Sequence, residues 1–241
     1  MKKILISIVL IVLLVSVIGC TQPTPNQLPP PKENQKSNEK DNENGNVMPE
    51  PTIKEILTKG TETENIEYEA KITHEIALGK QEWTSKIYQK ETNYKTVIED
   101  TGLIGIFNGT KNYTYFPEID KYVVFEIKES SAFDAKYISE QALLDSAMKE
   151  IKKQRINGFD ARIIEFTYFD KFFSGEKQKI TAWISEEYGI PVKIETQSQF
   201  GPVGIEIRNI KLNSVKDTEF EVPEEKVITQ EELEELMAAE E

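Results

Sequence analysis

Few residues in this chain could do chemistry. The first is Cys20, the only cysteine among 241 residues. A single cysteine rules out an internal disulfide. His74 is likewise the only histidine. A Ser-His-Asp machine would have to use it, yet the chain has no G-x-S-x-G elbow. One histidine with scattered carboxylates would make an unusual zinc donor set. A glycine-rich phosphate loop is also missing from the sequence. Carboxylates are abundant enough for a glycosidase-like pair. Most of them, however, fall on strand outer faces or in acidic runs, where solvation accounts for them. The sequons Asn108-Gly109-Thr110 and Asn112-Tyr113-Thr114 make Asn108 and Asn112 glycosylation acceptors in any source that modifies exported proteins. From these residues we expect no catalytic site, no metal site and no cofactor.

The surroundings of Cys20 give it a role. An apolar run of 15 residues, from Ile4 to Ile18, follows Lys2 and Lys3 and ends at the small residue Gly19. A basic start, a short apolar core and a small residue before the cut describe a secretory signal. A membrane-spanning helix needs about 20 apolar residues. The stretch Val17-Ile18-Gly19-Cys20 resembles the lipobox of prokaryotic lipoproteins. That resemblance implies removal of residues 1–19, a diacylglycerol thioether on Cys20, and a protein that faces outside the cytoplasm while anchored by lipid to the cell membrane. Two or more acyl chains hold such a protein stably, whereas one holds it marginally. With Cys20 acylated, no free thiol remains for metal binding or nucleophilic attack.

The chain has 29 basic and 42 acidic residues, a net charge of −13. Losing Lys2 and Lys3 with the signal makes the mature chain more acidic still. Such a surface repels phosphate backbones, so nucleic acid is excluded as a partner. It also predicts that contact with a bilayer comes through the lipid and apolar loops rather than a basic patch. Residues 20–50 form a lipidated cysteine and a tether rich in proline, asparagine and charge, with no aromatic residue. That composition cannot bury enough surface to offset ordering entropy. As a flexible coil the tether spans roughly 30 Å, and fully extended about 100 Å.

The folded part begins near Pro51. Thr52-x-x-Glu55 is a capping box, Ile53, Ile56 and Leu57 share one helical face, and Gly60 is a natural stop. The period then changes to two. Ile66, Tyr68, Ala70, Ile72, His74, Ile76 and Leu78 alternate with Glu67, Glu69, Lys71, Thr73 and Glu75, the pattern of a strand with one buried and one wet face. Strands follow around Trp83–Ile87, Tyr94–Ile98, Leu103–Phe107, Asn112–Phe116 and Tyr122–Ile127, with Asn108-Gly109 as a hairpin turn. Their close spacing predicts an antiparallel meander. Residues 134–153 read as one helix with Tyr137, Leu144, Met148 and Ile151 on a face, ended by Asn157-Gly158. Strands resume at 161–169, 179–185, 190–198 and 203–212. Gly201-Pro202 breaks the chain before the last of these, and an acidic helix or tail at 229–241 opens on Thr229-x-x-Glu232. Phe172-Phe173 falls at a hairpin tip, either exposed to lipid or ligand or folded onto the core. Trp83 and Trp183 read as core anchors.

The hairpin Trp183-Ile184-Ser185-Glu186-Glu187-Tyr188-Gly189-Ile190-Pro191-Val192-Lys193-Ile194-Glu195, followed by Phe220-Glu221-Val222-Pro223, resembles the lipoprotein-sorting and carrier family: the periplasmic lipoprotein carrier, its lipidated receptor and related lipid-binding lipoproteins. The match covers 51–228 in element order. It implies an α+β domain in which a curved antiparallel sheet of about ten strands forms an unclosed half-barrel under a helical lid. The family holds acyl chains in that concavity. The apolar face of the long strand, Tyr68, Ile72, His74, Ile76 and Leu78, is then the expected cavity lining. Two functional expectations stand. One is non-catalytic binding of a lipid or another apolar ligand at the cell envelope. The other is an interaction or sensor module whose hollow is filled by its own side chains and which meets an envelope protein partner. An enzyme is the third and weakest class.

Overall fold

A computed structural model describes residues 50–77, 79–125, 135–169, 177–198 and 201–239. Leu78, Phe172-Phe173, Cys20 and the tether lie outside the described residues. The chain divides into Met1–Pro51 and a compact unit, Thr52–Glu241, which holds every element below.

The unit opens with helix α1, Ile53–Thr61. Its capping box forms as expected: the Glu55 N–H donates to Thr52 Oγ1, and the Glu55 carboxylate accepts from Thr52 N at 2.7 Å. Gly60 does not stop the helix, which runs one residue further. What requires glycine there is packing. A methyl group on Gly60 would collide with the backbone of Gly189, and one on Gly189, at φ +73°, would collide with the backbone of α1.

Six strands follow as a meander: β1 (Asn65–Ile76), β2 (Gly79–Lys90), β3 (Asn93–Ile98), β4 (Leu103–Phe107), β5 (Asn112–Phe116) and β6 (Lys121–Phe125). A second meander comprises β7 (Lys149–Ile156), β8 (Phe159–Phe169), β9 (Lys177–Ser185), β10 (Pro191–Ser198) and β11 (Gly201–Leu212). β11 returns to pair antiparallel with β1, in register from Ile66–Leu212 to His74–Val203. The two-residue β12 (Val227–Ile228) adds parallel to β6. The result is one open sheet of 12 strands among the described residues, with β12 and β7 at its two edges. Bulges at Glu67/Glu69, Glu150/Lys152 and Pro191/Lys193 interrupt the ladders, and bulges of this kind bend and twist a strand. The α+β half-barrel architecture expected from the sequence is the one present.

Two further sequence expectations need correction. The single helix over 134–153 is a helix and a strand. Helix α2 spans Ala135–Leu144, and Lys149–Ile156 is strand β7. Asp145 makes the break. Its carboxylate accepts the N–H of Ala147 at 2.9 Å and the N–H of Thr167, on β8, at 2.8 Å. The first bond closes a side-chain turn, and the second fastens that turn to the sheet, so the following residues enter the ladder beside β8. Asn157-Gly158, both at positive φ, is the two-residue turn of the β7–β8 hairpin rather than a helix end. The second correction concerns Gly201-Pro202. These residues begin β11 instead of preceding it.

The main core lies on one face of the sheet. Ile56 and Leu57 of α1, and Ala135, Ile138 and Ala142 of α2, pack with Tyr68, Ala70 and Ile72 of β1 and with Ile164, Ile180, Ile194 and Ile205. The outer face is covered in two places. Val215, Phe220 and Val222 fold back onto Ile104, Ile106 and Tyr113, which gives the Phe-x-Val-Pro ending its structural role. Trp183 packs with Ala161, Ile163 and Val192, and its ring faces Lys193 Nζ at 4.5 Å. Elsewhere that face is solvated and laced with ion pairs. Glu82 meets Lys80 at 2.5 Å and Lys71 at 3.0 Å, and Glu67 meets Lys211 at 3.0 Å and Lys86 at 3.4 Å. Helix α3, Gln230–Ala239, closes the chain behind the Thr229–Glu232 capping box.

Replacing Gly60 with alanine should destabilise the unit by about 3 kcal/mol, the upper part of the overpacking range, read as a lower urea midpoint with an unchanged slope. Acid should also weaken the fold. The ammonium groups of Lys80 and then Lys71 hold the Glu82 carboxyl at about 2. Backbone N–H groups of Thr167 and Ala147 hold Asp145 below its ordinary value. Depressed carboxylates stabilise the fold above their unfolded pKa and lose that contribution as pH falls through the folded one. The urea midpoint should therefore fall between pH 4.5 and about 2, and Glu82→Gln should make that fall shallower.

Candidate functional site: the concave face and its lid

The expected lining splits into two groups along β1. Tyr68 is fully buried, and its hydroxyl accepts the N–H of Ala135 at 3.4 Å, so it holds the first turn of α2. Ile72, 9% exposed, packs in the main core beneath the helices. His74 and Ile76 are half-buried further along the strand. His74 stands between Gln81 on β2 and Val203 on β11.

The lid is latched at one turn. Ser139 on α2 is fully buried, and its hydroxyl donates to the Gly189 carbonyl at 3.0 Å. Lys59 on α1 donates to the carbonyl of Glu187. With Gly60 against Gly189, both helices converge on the turn of the tryptophan hairpin. The Gly189 N–H donates in turn to Ser185 O at 2.8 Å. A close backbone contact and a buried hydroxyl bond fix this part of the lid, which lies over β8, β9 and β10 and meets β1 at Tyr68.

The other half of the concave face has a different floor. Reading the ladders across, Ile87, Thr96, Gly105, Thr114 and Val123 stand side by side on β2 to β6. The middle three are small. Among the described residues, a methyl group on Gly105 would meet nothing within 4 Å, and the backbone there needs no glycine-specific φ. The Thr96 hydroxyl is buried without a hydrogen-bond partner among the described residues. Tyr94 and Phe107 stand on one side of this row, Ile98 and Leu103 on the other. Thr96, Gly105 and Thr114 therefore form a shallow strip of small residues, the trough, between apolar and aromatic neighbours of which Tyr94 and Leu103 are themselves buried. Asn112 faces the same side between Phe107 and Phe125, whereas Asn108 sits in the β4–β5 turn, where its side chain accepts from Thr110 Oγ1 at 3.0 Å and Lys111 N at 3.1 Å.

Sequence reasoning placed the lining on β1 and passed over this trough. The available signal was a glycine inside an apolar strand, Leu103-Ile104-Gly105-Ile106-Phe107. An interior strand glycine marks a bulge, a bend or a close approach by a ligand or another backbone. Which of these applies depends on what lies above it.

No family model matches the chain, and no curated protein matches it. Solved structures do align with it. An uncharacterized conserved protein from Thermus thermophilus aligns at 10% identity and a TM-score of 0.49, over 73% of this chain and 98% of that one. Lipoprotein LppX from Mycobacterium tuberculosis aligns at 11% identity and 0.45, over 68% and 97%. A LolA superfamily protein from Nitrosomonas europaea aligns at 13% identity and 0.36, over 71% and 98%. All three scores fall below 0.5, a level that bears on neither ligand nor partner.

Gly105→Ala should leave the urea midpoint unchanged or raise stability by about 0.5 kcal/mol, because a methyl there meets no described residue and removes chain entropy from the unfolded state. A loss above about 1 kcal/mol would show that the trough floor is packed.

Proposed function

We propose that this protein is an extracytoplasmic lipoprotein, anchored through a lipidated Cys20, that holds an acyl chain or comparable apolar ligand in the trough of its half-barrel without chemical turnover. The observation that carries the reading is the space above Gly105, which no described residue fills. Four apolar or aromatic side chains flank it, and small threonines floor it. Pockets for small molecules are concave and mostly apolar, with a few placed polar groups. Here the Thr114 hydroxyl supplies such a group. Non-catalytic binding fits the described side chains, since His74 stands apart from this trough on β1 and the chain has no nucleophile elbow. The lipobox-like Val17-Ile18-Gly19-Cys20 and the resemblance read from the tryptophan hairpin support the same assignment.

A second reading, an interaction module with a self-filled core, is favoured by one observation: Tyr68 and Ile72 lie under tightly packed helices. The two readings separate on one experiment. The chain from residue 21, which keeps the whole compact unit, is purified, extracted with organic solvent and analysed by mass spectrometry, then titrated with a fluorescent fatty acid. Wild type should carry or take up about one lipid. Gly105→Leu should lower uptake at least about tenfold with an unchanged urea midpoint, since a buried Leu-sized group displaces about that much binding energy. A clean protein that ignores the probe would favour the interaction module. In cells, Cys20→Ala should abolish palmitate labelling and release the protein from the membrane fraction.

A further inference from the structure

The acidic composition argues against a basic membrane-facing patch, but one edge of the sheet is basic. Strand β7, Lys149-Glu150-Ile151-Lys152-Lys153-Gln154-Arg155-Ile156, is exposed from its first residue to Arg155. It carries four cations, Lys149, Lys152, Lys153 and Arg155, against one carboxylate, Glu150. Glu150 is engaged by the buried Arg162 at 2.7 Å. Across the ladder, Glu165 lies opposite Lys149 and is held by Lys179 at 2.9 Å, while Asp160 lies opposite Arg155. Lys149, Lys152 and Arg155 make no ion pair among the described residues. So the edge keeps its positive charge in a chain whose net charge is −13.

Two large apolar side chains accompany these cations. Ile151 is 52% exposed at the β7 bulge, and Leu144, at the end of α2, is 76% exposed. The Asp145–Thr167 bond ties the residue after Leu144 to β8, two residues beyond the partner of Lys149, so both lie along one side of the sheet. The far edge is opposite in sign. Beyond β6 and β12 comes α3, with Glu231, Glu232, Glu234 and Glu235 and no buried residue.

We propose that the β7 edge is the face this domain turns toward an anionic lipid bilayer. The lysines and Arg155 would engage headgroup phosphates, with Ile151 and Leu144 entering the interface. Charge complementarity carries the choice of occupant. Each basic residue near an anionic leaflet contributes to attraction, long basic side chains lay their stems on apolar surface while reaching for phosphate, and β7 carries four cations against one carboxylate, where α3 at the far edge carries four glutamates. Addition of a partner's strand is disfavoured, because lysines and a bulge are the devices that blunt a sheet edge. The inference rests on placing the domain at a membrane but not on a ligand in the trough.

The test uses the chain from residue 21, which lacks both acyl groups and cysteine, so that binding is independent of lipidation at Cys20. Sedimentation is measured with phosphatidylglycerol–phosphatidylcholine vesicles and with pure phosphatidylcholine vesicles. Wild type should bind only the anionic vesicles and release in about 0.5 M salt, where screening leaves attraction only over a few ångströms. Reversing Lys149, Lys152 and Arg155 to glutamate should weaken binding at least about tenfold. Reversing the exposed Lys111 and Lys216 should change it less than about twofold. An environment-sensitive dye on Ile151→Cys should shift to the blue with anionic vesicles, and the same dye on Leu236→Cys of α3 should not. Absence of anionic binding, equal binding to both vesicle types, an unaffected triple variant, or equal shifts from the two dyes would overturn the proposal. So would capture of an acidic peptide at this edge in place of vesicles.

Discussion

Access to the concave face depends on how closely the backbone at Gly60 approaches that at Gly189. No side chain fits between them, so α1 comes down onto the tryptophan hairpin rather than standing off the sheet. The buried Ser139 hydroxyl brings α2 to the same carbonyl. Loss of a bond there would strand a buried polar group, which costs more than the bond's net contribution. The two helices are thus held over β8, β9 and β10, and Tyr68 reaches them from β1. Over that part the concavity is core.

Fixing the lid on that half leaves β3 to β5 as the place where the concave face changes character. Short strands with small central residues, Thr96, Gly105 and Thr114, take over from a floor of isoleucines and Tyr68. A half-barrel built this way separates its tasks. One part supplies stability through dense packing, while in the other no described residue fills the space above Gly105. Buried area and open area compete for the same apolar face, and the glycines decide the division. At Gly60 and Gly189 the missing side chain permits contact. At Gly105 it preserves space.

The electrostatics follow the same strand order. An open sheet has two edges, and here they carry opposite charge, with lysines along β7 and glutamates on α3 beyond β12. Between them the outer face is neutralised locally by cross-strand pairs such as Lys71–Glu82 and Lys86–Glu67. Exposed pairs of this kind contribute little to stability. They do offset charge locally in the middle of the sheet.

Local periodicity and turn chemistry were readable directly. The alternation from Ile66 to Ile76, the capping boxes at Thr52 and Thr229, and the Asn108-Gly109 turn all arise from interactions among neighbours, so the residues alone specify them. The signal-like start and Cys20 are likewise matters of local pattern. The helix drawn over 134–153 failed because Asp145 bonds to Thr167, 22 residues away, and a local hydrophobic period carries no trace of that contact. Gly60, read as a stop, is a packing residue for the same reason: its partner is Gly189. The β1 lining and the Gly105 trough differ in what covers them. Sequence assigned the faces of each strand. Only the tertiary packing decided which residues of the apolar face became core, because a side chain's face is set by its own strand and its burial by whatever packs above it.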